Sequence, residues 1–188
     1  MTETRAKAWK LLRQNVNSEV LLKHCLAVEI AMRSYAEKFG GDVEYWGAVG
    51  LLHDVDFEKF PDDHPHHARE ILSAAGYDDA FVTDVESHCR VWDSERSILQ
   101  KTLLAVDELT GFIIACALVR PDRSLDNLEV KSVMKKIKDK AFARAVNRET
   151  LTDGAKSMDV DFSEHVAFII KALAAAVKAP EYKEFPLV

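Results

Sequence analysis

A His-Asp doublet follows an apolar stretch in the first third of the chain. His53 and Asp54 come directly after Gly47-Ala-Val-Gly-Leu-Leu. Neutral imidazole and carboxylate are good ligands for borderline divalent metals. Neighbouring side chains on a helix point about 100° apart, so other segments must complete any metal site that includes this pair.

Histidine and aspartate residues in other predicted helices can complete such a site. His24 lies among apolar residues, including Leu21 and Val28, at the spacing of a core-facing helix surface. Asp107 shares one face of a long apolar helix with Leu103, so we expect its carboxylate to point inward. A buried carboxylate is costly unless it is paired or bound to a cation. Two further histidines lie on short helical stretches, and the candidate metal ligands are therefore His24, His53, Asp54, His67, His88 and Asp107.

The order of these residues resembles the HD superfamily of metal-dependent phosphohydrolases. The local sequences are similar as well, and the resemblance covers residues 18–115. Its three motifs are Leu51-Leu52-His53-Asp54, His64-Pro65-His66-His67-Ala68 and Leu103-Leu104-Ala105-Val106-Asp107. Val55-Asp56 stands where a well-known subset of the family has Ile-Gly, which argues against that subset but leaves the metal pattern intact.

The resemblance implies a metal-dependent hydrolase that acts through metal-activated water. A metal held by His24, His53, Asp54 and Asp107 would keep open positions for water and substrate, as a catalytic site requires. His53 and Asp54 form the catalytic centre in this interpretation. By similarity to dinuclear members, Asp54 could also bridge to a second ion on His67 and His88. Mixed imidazole and carboxylate ligation suits manganese, iron, cobalt, nickel or zinc, as one or two ions.

The expected substrate is a phosphate ester or anhydride of a small metabolite, with a nucleotide favoured. Positive side chains are needed to hold the remaining phosphate oxygens. Arg90 and Arg120 are candidates, as is a basic strip consisting of Lys136, Lys140, Arg144 and Arg148. The four residues of the strip share a face only if their segment is one continuous helix. An ordinary solvated surface is the alternative interpretation of the strip.

Other functions remain open on the same residues. A sensor could bind metal or a nucleotide without turnover, and it would show a ligand-dependent melting shift but no hydrolysis. An all-α site with histidine and aspartate ligands could also hold two irons and activate dioxygen, which oxygen consumption would reveal. A helical interaction module with incidental histidines is the least favoured, and it predicts that His53→Ala leaves stability unaltered.

Composition narrows the class of protein further. The chain has 188 residues, 48% of them hydrophobic, which suits one domain with a substantial core. Its 31 acidic and 25 basic residues give a net charge of -6, so a stable nucleic-acid complex is not expected. The polar N-terminus, the short apolar runs and the unpaired cysteines predict a cytoplasmic protein without membrane spans. These cysteines are Cys25, Cys89 and Cys116. A homodimer through the first and last helices is conceivable.

The hydrophobic periodicity predicts an all-α fold, a single-domain helical bundle of the HD type with a C-terminal extension. We place the metal-binding core at 18–115 and a helical cap at 121–180. The predicted helices run over 3–14, 18–39, 42–52, 65–76, 79–91, 95–118 and 162–179, with loops at 56–65 and 153–161. We expect the acidic residues of the first loop, including Asp56 and Glu58, to be solvated. His64 and His66 are expected at the surface or near the substrate, and His165 in packing or at the surface.

Overall fold

The computed structural model describes residues 2–88 and 95–188, and within them it confirms the all-α fold. The α-helices are α1 Glu3–Asn15, α2 Glu19–Phe39, α3 Val43–Leu52, α4 Ala68–Ala74, α5 Asp79–Glu86, α6 Ile98–Leu118, α7 Val130–Lys138, α8 Arg148–Ser157 and α9 Phe162–Ala176. A short 3-10 helix, Pro180–Tyr182, follows. None of the helices in these two ranges has the length and apolar character needed to cross a membrane. The division into a core and a C-terminal cap stays a prediction.

Side-chain caps fix where the central helices begin. Ser18 accepts a hydrogen bond from the backbone N–H of Leu21 at the start of α2, and Asp42 caps α3 in the same way. Gly40 ends α2 with a φ of 72°, a conformation that glycine adopts without strain. The predicted start of α6 at Glu95 is wrong. Ser97 forms a capping box with Gln100, so α6 begins at Ile98. Ser94, which directly precedes the predicted start and was expected to cap the helix, lies outside the described residues.

The helices α2 and α3 pack closely because glycine residues face the contact. A Cβ atom on Gly50 would lie 2.8 Å from Cγ of Met32 and 3.1 Å from the backbone oxygen of Val28. Gly47 similarly leaves room for the Arg33 side chain. The apolar stretch before the doublet therefore does more than fill the core. It lets the two helices that carry the first histidines approach each other.

A buried ion network ties the first three helices together. The fully buried carboxylate of Glu29 accepts hydrogen bonds from Arg5 on α1, at 2.5 and 2.9 Å. Arg33 donates to Glu29 at 2.9 Å and to Glu44 on α3 at 2.7 Å. A buried carboxylate is tolerated when several donors satisfy it. This network sets how α2 lies against α3.

The basic strip, Lys136 to Arg148, would share one face only on a continuous helix. The structure does not form such a helix there. Helix α7 ends at Lys138, and α8 starts at Arg148 and runs into the predicted loop at 153–161. The Arg148 side chain stabilises the break because it donates to backbone carbonyls at the end of α7 and in the residues between the two helices. The acceptors are the carbonyl oxygens of Ile137, Asp139, Phe142, Ala143 and Val146. Arg148 therefore holds a loop, and the strip has no common helical face.

A buried tyrosine-histidine pair anchors α9 to the central helices. Nε2 of His165 donates to the backbone oxygen of Ala105 on α6 at 3.1 Å. Its Nδ1 then accepts the hydroxyl of Tyr35 on α2, 2.5 Å away. Burial lowers the pKa of His165 from 6.5 to about 4, and the nearby Lys38 acts in the same direction. His165 is thus a neutral packing residue, and its partner Ala105 lies two residues before Asp107 on α6.

Protonation of His165 is expected to lower the stability of the protein in mild acid. Its folded-state pKa lies below its unfolded value, so its contribution is complete above pH 6.5 and is lost as the pH falls towards 4. The shift corresponds to about 3 kcal/mol of unfolding free energy across that window. We expect denaturant unfolding at pH 7 and pH 4 to show a smaller acid loss for His165→Gln than for the native protein. The same change at the exposed His66 should leave the loss unchanged, and an equal loss in all three would contradict the assignment.

Candidate metal centre

Side chains from α2, from the C-terminal end of α3 and from α6 converge at the doublet. Nε2 of His24 on α2 lies 3.1 Å from Nε2 of His53 and 3.1 Å from Oδ1 of Asp107 on α6. Nε2 of His53 lies 3.5 Å from the same oxygen of Asp107. These three residues form a group able to hold a metal ion. The expectation that Asp107 points inward agrees with this placement.

Asp54 lies between this group and a second one. Its Oδ2 faces the first group, 3.3 Å from Nε2 of His53 and 3.6 Å from Nε2 of His24. Its Oδ1 faces the second group, 3.2 Å from Nε2 of His64 and 3.8 Å from Nε2 of His88. Asp54, His64 and His88 form the second set that could hold an ion. One carboxylate therefore presents an oxygen to each set.

Hydrogen bonds at Nδ1 orient three of these imidazole rings. Nδ1 of His53 donates to the backbone oxygen of Gly50 at 2.9 Å, and Nδ1 of His88 to that of Val85 at 2.6 Å. Nδ1 of His64 donates to Asp56 at 2.7 Å. In the neutral ring each Nε2 then carries a lone pair. Nε2 of His64 and Nε2 of His88 lie 2.7 Å apart, so a cation bound by both nitrogens would satisfy the two lone pairs.

The electrostatics of the centre also favour a cation. Burial would raise the pKa of Asp54, but the neighbouring His53 and His24 outweigh it and hold the pKa at about 2. Burial likewise opposes ionisation of Asp107, yet its bonds to His24 and His53 keep its pKa well below the usual range. Two ionised carboxylates thus share a buried space with several imidazole nitrogens. Such a donor set suits a divalent transition metal.

The structure does not bring His67 into the centre. Its Nε2 bonds to Oδ2 of Asp63 at 2.9 Å, and its ring stacks on Phe60 with centroids 3.8 Å apart. His64, which we expected at the surface or near the substrate, stands in the place predicted for His67. The physical reason is Asp56, which binds the ring of His64 and also accepts the backbone N–H of His67 at 3.2 Å.

Asp56 departs from the solvated acidic loop that the sequence predicted. Its side chain is fully buried, whereas Asp62 and Asp63 are exposed as expected. Glu58 is exposed but accepts the backbone N–H groups of Asn17 and Ser18 at the start of α2. Asp56, two residues after Asp54, stands where a subset of the family has glycine. It therefore orients the ring of His64. No sequence signal separated Asp56 from its acidic neighbours.

We expect Asp56→Ala to weaken metal binding and activity by about 10- to 100-fold, as loss of a carboxylate behind a metal-binding histidine typically does. Asp56→Asn keeps an oxygen acceptor for Nδ1 of His64 and should lose less. Isothermal titration with Mn²⁺ and phosphate-release assays on the same samples measure both effects. Asp62→Ala, in the same loop, is the matched control. Metal affinity unchanged in Asp56→Ala would remove Asp56 from this role.

The predicted phosphate-binding cations that the structure describes lie away from the centre. Arg120 pairs with Asp122 at 3.0 Å and lies roughly 20 Å along α6 from Asp107, at 1.5 Å per residue. Lys140 and Arg144 line a separate groove together with Arg148. Arg90 lies outside the described residues. Their part in substrate binding stays a prediction.

A cavity of about 760 Å³ opens onto the candidate centre. His24 and Asp54 contribute to its lining, and so does Lys23, a cation that the sequence analysis did not single out. Lys23 forms no ion pair with residues in the described part of the chain. Apolar side chains from α2 and α6 make most of the remaining wall.

Comparison with known proteins identifies the family to which the chain belongs. Residues 21–148, about two thirds of the chain, match the HD domain family. The chain is also 27% identical over 155 residues to a 3-ketoacyl-CoA thiolase of Acinetobacter baylyi (strain ATCC 33305 / BD413 / ADP1), covering 72% of this chain and 38% of that protein. It is 29% identical over 157 residues to a 3-ketoacyl-CoA thiolase of Acinetobacter baumannii (strain AYE), with the same coverage.

The chain spans only 38% of the length of these relatives, and their names do not define its function. No solved structure gives a significant match. The family match covers all six residues of the two ligand sets, from His24 to Asp107. The chain belongs to the HD domain family, and thus to the HD superfamily of metal-dependent phosphohydrolases.

Proposed function

We propose that this protein hydrolyses a phosphate ester or anhydride bond in a small phosphorylated metabolite, with a divalent transition metal at the centre around Asp54. One observation carries the proposal. The two oxygens of Asp54 face two separate groups of imidazole nitrogens, and the site adjoins a cavity large enough for a small molecule. One or two ions of manganese, iron, cobalt, nickel or zinc suit these ligands.

Two groups of side chains would each bind one ion. His24, His53 and Asp107 would bind one ion, His64 and His88 a second, and Asp54 would contribute an oxygen to each. A bound divalent metal supplies a water of lowered pKa and a Lewis-acid contact for a phosphoryl oxygen. The buried Nδ1 bonds of His53 and His88 keep their rings in place without reorganisation during the reaction.

The proposal also covers the substrate class, the cellular compartment and the oligomeric state. A nucleotide belongs to the class of substrate proposed here, and the acidic net charge of -6 favours a small metabolite over a nucleic acid as partner. The buried free thiols of Cys25 and Cys116 support a reducing compartment such as the cytoplasm. A homodimer also stays a prediction.

Phosphate release from a panel of phosphorylated metabolites tests the proposal. The protein is first stripped with a chelator and then supplied separately with Mn²⁺, Co²⁺, Ni²⁺, Zn²⁺ or Mg²⁺. We expect release only after metal is restored, and His66→Ala, at an exposed histidine of the same segment, should behave as the native protein. Metal bound tightly without phosphate release across the panel would support a sensor instead.

A further inference from the structure

The wall of the cavity beside the centre is apolar. Eight of its described lining residues are hydrophobic and come from α2, the loop after the doublet, α6 and the C-terminal segment. They include Val20, Leu21, Phe57, Ile114, Leu118 and Leu187. Val20 is 80% exposed and Leu118 44%, which is unusual for large apolar side chains grouped around one opening. Covering such a surface with an apolar group is favourable.

The polar groups of the cavity are few and mostly engaged. Glu58 accepts the backbone N–H groups of Asn17 and Ser18, at 2.9 and 2.8 Å. The hydroxyl oxygen of Ser18 accepts the N–H of Leu21. His24 and Asp54 belong to the metal centre, so that among the described lining residues Lys23 is the cation available to an anion. A base and a ribose would find few hydrogen-bonding partners along this wall, and unpaired polar groups are costly to bury.

We infer that the substrate of the proposed hydrolase is a phosphate ester of an aliphatic alcohol, with its phosphate at the His24 and Asp54 end and its apolar chain along this wall. The inference rests on the proposed function and narrows its substrate class away from nucleotides. In the reaction, the oxygen of water bonds to phosphorus, the phosphorus–oxygen bond to the alcohol breaks, and the alcohol oxygen leaves with a proton. Lys23 offers a positive charge to the phosphate on its way to the centre.

Binding of alkylphosphonates to the manganese-loaded protein tests the inference without requiring turnover, because their carbon–phosphorus bond is not hydrolysed. Isothermal titration with butyl-, hexyl- and octylphosphonate should give dissociation constants that fall about tenfold for each two methylenes added. Octylphosphonate should also bind more tightly than adenosine monophosphate. Dissociation constants independent of chain length would overturn the inference.

Two neighbouring residues at the end of α6 provide a matched pair of variants. Leu118 lines the cavity, whereas Val119 is exposed but lies outside its lining. Leu118→Gln should weaken octylphosphonate binding several-fold and leave butylphosphonate binding nearly unchanged, while Val119→Gln should alter neither. Both side chains are exposed, so both variants should fold. Equal behaviour of the two variants would contradict the placement of the chain.

The outcomes separate this inference from the proposed function. Chain-length dependence without hydrolysis of octyl phosphate would uphold the ligand class and refute the hydrolase. Metal-dependent hydrolysis of nucleotides without any chain-length dependence would uphold the hydrolase and refute the aliphatic substrate. Sedimentation adds a further check, since a dimer that dissociates only in Leu118→Gln would identify the apolar wall as a surface between two copies and would overturn the inference.

Discussion

Asp54→Ala is expected to lower metal-dependent phosphate release about a thousandfold or more, since a bound metal contributes several kcal/mol to such a reaction. The carboxylate of Asp54 is the group shared by both ligand sets, with Oδ2 directed at His24 and His53 and Oδ1 at His64. Its removal should weaken metal binding at both sets at once. Phosphate release and Mn²⁺ titration on the same preparation measure the two effects.

The loss in Asp54→Ala should not come from unfolding. The pKa of Asp54 is held at about 2 by His53 and His24, so its carboxylate stabilises the metal-free fold. The metal-free variant should therefore melt somewhat below the native protein but stay folded at the assay temperature. Asp153→Ala, at an exposed position on α8, serves as the control. If Asp54→Ala kept full metal content and activity, the proposed centre would be wrong.

The second large effect is a difference in phosphate release between variants of His64 and His67. We expect His64→Ala to lower phosphate release by about 100-fold or more, because Nε2 of His64 is 3.2 Å from Asp54 and 2.7 Å from Nε2 of His88. His67→Ala should stay within a few-fold of the native rate, since its ring contacts Phe60 and Asp63 instead. Rates measured at saturating metal compare the two directly.

The metal content of the two variants gives an independent comparison. His64→Ala should bind less Mn²⁺ per chain, while His67→Ala should bind as much as the native protein. The opposite order, with His67→Ala inactive and His64→Ala active, would favour the ligand set that the sequence predicted. Native-like activity of both variants would show that the second ligand set has no part in the reaction.

Local signals were enough to predict most of the helices. Ser18, Asp42 and Gly40 bound α2 and α3 where the capping rules place them, because these contacts involve residues only a few positions apart. The start of α6 was predicted three residues early. Two serines compete as its cap, and only the reciprocal bonds between Ser97 and Gln100 identify the one used.

The sequence could also predict the first ligand set, and Asp54 and His88 of the second, but not His64. His24, His53, Asp54 and Asp107 lie in apolar helical contexts that direct them to the core, and the structure brings them together. His64 lies in a loop, where helical periodicity gives no orientation. Its position depends on the buried carboxylate of Asp56, and loop folding of this kind is a tertiary property.

The basic strip shows the same limit in another segment. Spacing alone would align its members on a helix, but the bonds from Arg148 to five backbone carbonyls fold residues 139–147 into turns. The apolar cavity likewise could not be predicted from the sequence. Its wall is assembled from α2, α6 and the C-terminal segment, which are distant along the chain.

The most direct test of the central claim counts bound metal and released phosphate in the same samples. Chelator-stripped native protein and Asp54→Ala are titrated with Mn²⁺, and both quantities are measured at each step with the substrates found to be active. We expect no release without metal, a rise in release that follows the metal bound to the native chain, and neither metal binding nor release in the variant. Release that persists in stripped protein, or equal metal binding by Asp54→Ala, would contradict the central claim.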